Sequence, residues 1–245
     1  VGPIAERDGT GIAAAPTARL AGWQPSGMLD WEGHLTSTIF LAGCPYRCPY
    51  CHNPALLSSH ASNGAWRSFA AHVQEKRRWL DGVVVTGGEP CDDPDLIALL
   101  AALADLGVKV KLDTNGSRPD VLRHVFAEGL VAYVALDVKT IPCRYSALTG
   151  SPTAAADVTD SVETILASGV AHEFRTTAFP PAVALDDLAD IAASLRGARR
   201  YAVQQFRPDV TLEPAAARVR PYHPYDLREA VRACAVHVPT VLRGA

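Results

Sequence analysis

The 245-residue chain contains no run of the roughly 18 to 20 uninterrupted apolar residues that a membrane-spanning helix needs. Its first residues also lack the charged-then-apolar pattern of a secretory signal. The expected compartment is therefore the cytoplasm, with no membrane partner. An excess of charge of one sign is missing too. Against 23 Lys and Arg stand 26 Asp and Glu, a net charge of −3 with pI near 6.2, which gives no overall attraction for nucleic acid. A disulfide framework is absent as well: Cys91, Cys143 and Cys234 lie far apart and read as free thiols, mostly buried, of a reducing compartment. What remains is core-forming material. With 48% hydrophobic and 20% charged residues, the chain has enough to fold as one large or two small α/β domains, and wholesale disorder is excluded.

Residues 1–19 (VGPIAERDGTGIAAAPTAR) are rich in Gly, Ala, Pro and Thr without apolar periodicity, as in a mobile arm or a loosely packed extension. From residue 20 to 245 a single domain is expected. Six β-branched or apolar runs predict strands at 36–43, 83–86, 108–114, 131–139, 173–179 and 201–206. Between them, helical spacing appears in SFAAHVQEKRRWL, DDPDLIALLAALADLG, RPDVLRHVFAEG, TDSVETILASG and LDDLADIAASLRG. Several of these open on Asp or Ser and close at Gly, the pattern of N-caps and C′ glycines. After Arg207 a Pro-rich loop leads to a C-terminal helical tail and a last short strand. Strand–helix alternation predicts right-handed βαβ units around a parallel sheet. Some six units are too few for a closed eight-unit barrel, so an open, partial (β/α)6 TIM-like barrel is expected rather than a doubly wound sheet.

In such folds the site forms where the strands end at their carboxyl termini, and the distinctive polar clusters all fall there. The first is LAGCPYRCPYCHNP, with Cys44, Cys48 and Cys51 in Cys-x3-Cys-x2-Cys spacing. Structural zinc usually takes four ligands, often as two separated pairs. Here no fourth cysteine is near, and His52, adjacent to Cys51, would close a Cys3His site awkwardly. A [4Fe-4S] cluster bound by three thiolates leaves one iron open to a non-protein ligand. The spacing, with Tyr50 immediately before the third cysteine, resembles the signature of the radical S-adenosylmethionine (radical SAM) superfamily. The resemblance implies that the open iron chelates the amino and carboxylate groups of S-adenosylmethionine. It also implies that a reduced cluster cleaves the cofactor to a 5′-deoxyadenosyl radical, and that Tyr50 packs near the adenine.

Other motifs extend the resemblance. Thr86-Gly87-Gly88-Glu89-Pro90 follows a short apolar strand, where two glycines admit close backbone approach and a carboxylate can accept from an ammonium. It is similar to the superfamily's GGE motif, which implies contact with the amino group of S-adenosylmethionine. Asp113-Thr114-Asn115-Gly116 and Asp137-Val138-Lys139 end two strands and are implied to meet the ribose and carboxylate. Asp113, Thr114 and Asp137 also match ligands of a monovalent cation in glycyl-radical activating enzymes, and hard oxygens suit such an ion. Arg175, costly if buried alone, invites either a cofactor partner or a structural salt bridge. Gln205, with its neighbour Gln204, invites either the ribose or local backbone, and His52 either the cluster region or a supporting hydrogen bond.

The resemblance spans about Leu20 to Phe206 and is nearest to the compact activating enzymes of anaerobic ribonucleoside-triphosphate reductase and pyruvate formate-lyase. It implies hydrogen abstraction from a glycine of a glycyl radical enzyme, with a flavodoxin- or ferredoxin-type electron donor. An alternative within the same superfamily is a small-molecule enzyme of the deazaguanine-forming type, and a more distant one is a zinc-binding interaction module. Departures from the pattern are Asp30-Trp31, where Asp-Tyr is commoner, and Cys91 and Cys143, each one loop from the expected pocket. Packing, a reactive thiol and a hydrogen-atom donor are the readings open to those two. The basic run EKRRW at 75–79 reads as a solvated helix face or a docking point for an acidic electron donor.

Overall fold

The computed structural model describes residues 16–58 and 65–245. Most of the expected arm at 1–19 lies outside the described residues. Its final residues are tied down: Ala18 is buried, and the Arg19 backbone N–H and Nε both donate to Asp93, at 2.8 and 3.1 Å.

Among the described residues eight strands form one sheet in chain order: β1 (Leu20–Gly27), β2 (Thr36–Leu41), β3 (Gly82–Gly87), β4 (Lys109–Thr114), β5 (Tyr133–Asp137), β6 (Ala171–Ala178), β7 (Tyr201–Gln205) and β8 (Thr240–Arg243). β2 to β8 run parallel, and β1 pairs antiparallel with β2. The six expected strands are β2 to β7. β1 carries no legible alternation because LAGWQPSG contains two glycines and a proline, and its register with β2 is interrupted twice. It is held by side chains instead, with Trp23 packed edge-on against Phe69 at 5.6 Å.

Among the described residues seven α-helices connect the strands: α1 (Ala65–Lys76), α2 (Leu96–Asp105), α3 (Pro119–Ala127), α4 (Tyr145–Thr149), α5 (Ala154–Ser168), α6 (Leu185–Ser194) and α7 (Pro224–Cys234). None of the described helices is long and apolar enough to cross a membrane. The glycine stops hold, since Gly169 closes α5 in the left-handed conformation and Gly107, Gly129 and Gly197 follow α2, α3 and α6 at positive φ. The acidic starts do not. Asp95 precedes α2 without making a capping bond, and α5 begins at Ala154, ahead of the expected Thr159. α6 is capped from inside its first turn, where Asp187 accepts from the Ala184 backbone N–H at 2.6 Å.

The helices cover the outer face, and Val83, Val85, Leu112, Val134, Leu136 and Phe174 are fully buried between the layers. The sheet curls into the partial barrel that the alternation predicts, with β1 and β8 as edges that do not pair with each other. Near the amino ends of the strands a cavity of about 470 Å³ opens among Trp31, Lys111, Tyr133, Glu173, Arg200 and Arg243. Ion pairs bridge the seam there: Glu32, in the loop after β1, lies 3.1 Å from Arg243 of β8 and 2.7 Å from Arg200. Tail and barrel are continuous, because β8 completes the sheet against β7 and α7 packs on α6.

Leu112, on β4 and fully buried, tests the core directly. Leu112→Ala is expected to lower unfolding free energy by about 2–5 kcal/mol in denaturant titration, through lost burial and an uncollapsed cavity.

Candidate active site

The cysteine segment follows β2 as irregular backbone, and neighbouring elements pin it at intervals. The Gly43 N–H donates to the Leu56 carbonyl at 2.8 Å, Arg47 N–H to the Thr149 carbonyl at 2.8 Å, and Glu213 N–H to the Pro49 carbonyl at 3.0 Å. The Arg47 guanidinium folds back onto the carbonyls of Cys44 and Tyr46, at 2.6 and 2.9 Å. Behind the loop Tyr50 is buried against Phe179, ring centroids 4.9 Å apart, and His52 stacks on Phe206 at 6.4 Å. His52 Nε2 lies 3.2 Å from the Arg207 carbonyl, a supporting hydrogen bond, and the residue also lines the cavity beside the cysteines.

β3 delivers the second motif against the first. Gly88 N–H donates to the Leu41 carbonyl at 2.9 Å, and Glu89 N–H to the Gly43 carbonyl at 2.8 Å. A Cβ on Gly88 would lie 1.9 Å from the Gly43 oxygen, and Gly87, at φ +136°, would put one 2.3 Å from the Leu41 oxygen. Only glycine fits at either place. The turn aims Glu89 into the interior, where it is 1% exposed. Its Oε1 accepts from the Cys91 N–H at 2.9 Å and the Thr114 hydroxyl at 2.7 Å, and its Oε2 from the Asn115 N–H at 2.6 Å. Burial raises its pKa, and the three donors oppose that rise. A buried carboxylate organised in this way is prepared for an incoming cationic group. Asn115 Nδ2 lies 3.5 Å from Cys44 Sγ, which joins the 113–116 turn to the cysteine loop.

A charged lattice fills the lumen beneath. Arg175 on β6 donates from Nε to Asp137 Oδ1 at 2.7 Å and from Nη1 to Asp113 Oδ2 at 3.0 Å. Lys139 Nζ lies 3.5 Å from Asp137 Oδ2, and Lys111 Nζ 3.1 Å from Asp113 Oδ1. Lys111 also bonds the Asp30 carbonyl and faces Glu173 at 3.9 Å. Burial alone would raise the Asp137 pKa, but Arg175 and Lys139 hold it below the usual carboxylate range. Burial works most strongly against the Lys139 ammonium, but Asp137 together with Cys48, Tyr50 and Cys44 outweighs it, leaving the pKa well above the ordinary value.

One cavity of about 390 Å³ collects nearly every residue singled out from the sequence: Cys44, Cys48, Tyr50, Cys51, Gly87, Gly88, Glu89, Asp113, Thr114, Asn115, Asp137, Lys139 and Arg175. Gln205 is the exception. Side chains alternate along β7, so Gln204 lines the cavity while Gln205 turns away and donates to the Tyr222 carbonyl at 3.0 Å. Tyr46 and Thr177 also line it and escaped notice in the sequence. Thr177 was findable by alternation, two residues beyond Arg175 on the same face of β6. Cys91 is buried behind Glu89 and Cys143 is exposed, and neither lines the cavity. Lys76 ends α1, and Arg77, Arg78 and the exposed Trp79 lead into β3, at the opposite end of the strands from the cysteines. A donor docked there would sit about a strand length, ~20 Å, from the thiols.

The residues present fit an iron–sulfur cluster better than a single ion. Among the described residues no three His, Cys, Asp or Glu side chains are grouped to hold one metal ion, which disfavours the zinc reading. A cluster takes its thiolates at separate corners, and three cysteines on one loop around a shared cavity meet that demand.

Comparison with known proteins agrees with this chemistry. The Radical SAM superfamily profile matches residues 38–195. A Methanocaldococcus jannaschii protein, provisionally assigned as a glycyl-radical enzyme activating enzyme, is 30% identical over 185 residues, covering 74% of this chain and 76% of that one. A 7-carboxy-7-deazaguanine synthase of Hyperthermus butylicus is 38% identical over 122 residues, 47% of this chain and 50% of its own. Among solved structures, SuiB of Streptococcus suis superposes with a TM-score of 0.61 at 15% identity, over 83% of this chain and 48% of SuiB, a likeness of fold alone.

Two outcomes check the geometry. Gly88→Ala, with its Cβ driven into the Gly43 carbonyl, is expected to cost about 3 kcal/mol or more of stability and to abolish iron uptake on reconstitution, measured by denaturant titration and iron analysis. In cluster-free protein, burial pushes the Cys44 thiol up to about 12. The reactive thiolate is therefore scarce at neutral pH. Alkylation of Cys44 by iodoacetamide, followed by mass spectrometry, is expected to rise about tenfold per pH unit between roughly pH 7 and 10 without a plateau.

Proposed function

The chain belongs to the radical SAM superfamily, and from that premise we propose that it activates a glycyl radical enzyme of the anaerobic ribonucleotide reductase type. The observation that carries the reading is the convergence of the three cysteines, the Gly87–Glu89 turn, the 113–115 loop and Lys139 on one cavity at the carboxyl ends of the strands. Cys44, Cys48 and Cys51 hold the [4Fe-4S] cluster. Glu89 takes the amino group of S-adenosylmethionine, Lys139 faces its carboxylate, and Tyr50 flanks the adenine. Bound there, the cluster would supply one-electron reduction of S-adenosylmethionine and so the means of taking a hydrogen atom from the substrate carbon. The protein's contribution is orientation and exclusion of water, for which the buried, pre-bonded Glu89 and the rigid Gly–Gly contact are suited. A flavodoxin- or ferredoxin-type donor provides the electron.

Two observations support a protein substrate. A relative matched over 74% of this chain and 76% of its own length carries the activating-enzyme assignment, and among the described residues β1 and β8 do not pair with each other. A small-molecule substrate of the deazaguanine-forming type is the second reading, favoured by the Hyperthermus butylicus relative.

The deciding experiment incubates reconstituted, reduced enzyme with S-adenosylmethionine and a candidate glycyl radical protein of the source organism. A glycyl doublet in the electron paramagnetic resonance spectrum is expected. 5′-Deoxyadenosine formation without that doublet, for every such protein, would favour the small-molecule reading. Cys48→Ala is expected to lose both cluster and cleavage while remaining folded. Glu89→Gln is expected to keep its cluster and bind S-adenosylmethionine about 10- to 100-fold more weakly, the worth of one charge-assisted hydrogen bond.

A further inference from the structure

The resemblance implies that Asp113, Thr114 and Asp137 hold a monovalent cation, yet every oxygen those side chains could offer is engaged. Asp137 Oδ1 accepts from Arg175 Nε at 2.7 Å and its Oδ2 faces Lys139 Nζ at 3.5 Å. Asp113 Oδ2 accepts from Arg175 Nη1 at 3.0 Å. Its Oδ1 has no directed hydrogen bond but faces the Lys111 ammonium at 3.1 Å. The Thr114 hydroxyl donates to Glu89 at 2.7 Å and accepts from the Gly116 N–H at 3.1 Å. Among the described residues no acidic set stands grouped for a metal ion.

The guanidinium sits where a cation would bridge the two carboxylates. Arg175 is the direct β6 partner of Asp137 on β5, and its side chain reaches past that strand to Asp113 on β4. It cannot be deprotonated, its planar fork addresses two acceptors at once, and covalent attachment spares it the entropy of capturing an ion. An alkali ion entering here would have to shed water and also displace a buried ion pair.

We propose that Arg175, flanked by Lys139 and Lys111, replaces the monovalent cation in this protein, so that its binding of S-adenosylmethionine does not depend on alkali ions. Arg175 acts as a positioning residue that holds Asp113 and Asp137 in the arrangement an ion would otherwise enforce. The inference rests on the radical SAM reading but not on the identity of the substrate.

The test compares reconstituted enzyme in tetramethylammonium chloride with the same enzyme in sodium or potassium chloride at equal ionic strength. Affinity for S-adenosylmethionine and 5′-deoxyadenosine yield, with an alkali-free titanium(III) reductant, are expected to differ by less than about twofold. A wild type that needs sodium or potassium for about tenfold or more of its affinity would overturn the proposal, whether or not any variant folds. Arg175→Gln frees both carboxylates. It is expected to lose cleavage in tetramethylammonium and regain it with potassium, sodium or guanidinium ions. Cluster-free Arg175→Gln should also gain thermal stability in alkali chloride over tetramethylammonium chloride, a difference absent from the wild type. A folded Arg175→Gln that none of these ions restores or stabilises would equally overturn it. No readout involves a partner protein, so failure of the glycine reading would leave each result interpretable.

Discussion

The contact on which the site depends is between two backbones: the Gly88 turn after β3 lies directly on the Gly43 carbonyl after β2. Parallel pairing brings the ends of these neighbouring strands side by side, but a side chain on Gly87 or Gly88 would force them apart. Because none is there, the cysteine loop and the acidic turn share hydrogen bonds, and Glu89 is carried below the thiols. The constraint is steric and local. Its consequence is chemical, since one rigid frame fixes three thiols and a buried carboxylate around one cavity.

Below that frame the barrel departs from the usual apolar filling of a parallel barrel. Lys111, Asp113, Arg175, Asp137 and Lys139 form a chain of alternating charge from β4 through β6 to β5. Buried charges are tolerated only when paired, and here each is paired. Such a lattice contributes little net stability. It holds its members in one arrangement, which suits a site that must present fixed charges to a charged cofactor. The same pairing bears on the alkali ion, because a carboxylate engaged by two tethered cations has little left to offer a mobile one.

Much of the site was legible in the sequence because its elements are contiguous. CPYRCPYC and TGGEP each carry their chemistry within a few residues, and strand–helix alternation alone places both at the carboxyl ends of the strands. What escaped depends on direction or long range. Gln204 and Gln205 are equal as letters, and the pleat of β7 decides which faces the lumen. β1 carries two glycines and a proline, so only its pairing with β2 and the packing of Trp23 identify it as a strand. Helix starts were misjudged where no side chain caps the first turn, as in α2, where Asp95 makes no capping bond, and α5, which begins at Ala154 rather than Thr159.

The sequence by itself determined the strand–helix order, the three-thiol signature and the Gly–Gly turn, because these rest on local periodicity and spacing. Tertiary structure decided which glutamine reaches the cavity, that the basic run ending α1 lies away from the thiols, and that Arg175 spends itself on Asp113 and Asp137. Those outcomes arise from strand register and barrel curvature, which bring residues 62 positions apart within 3.0 Å and which no local pattern encodes.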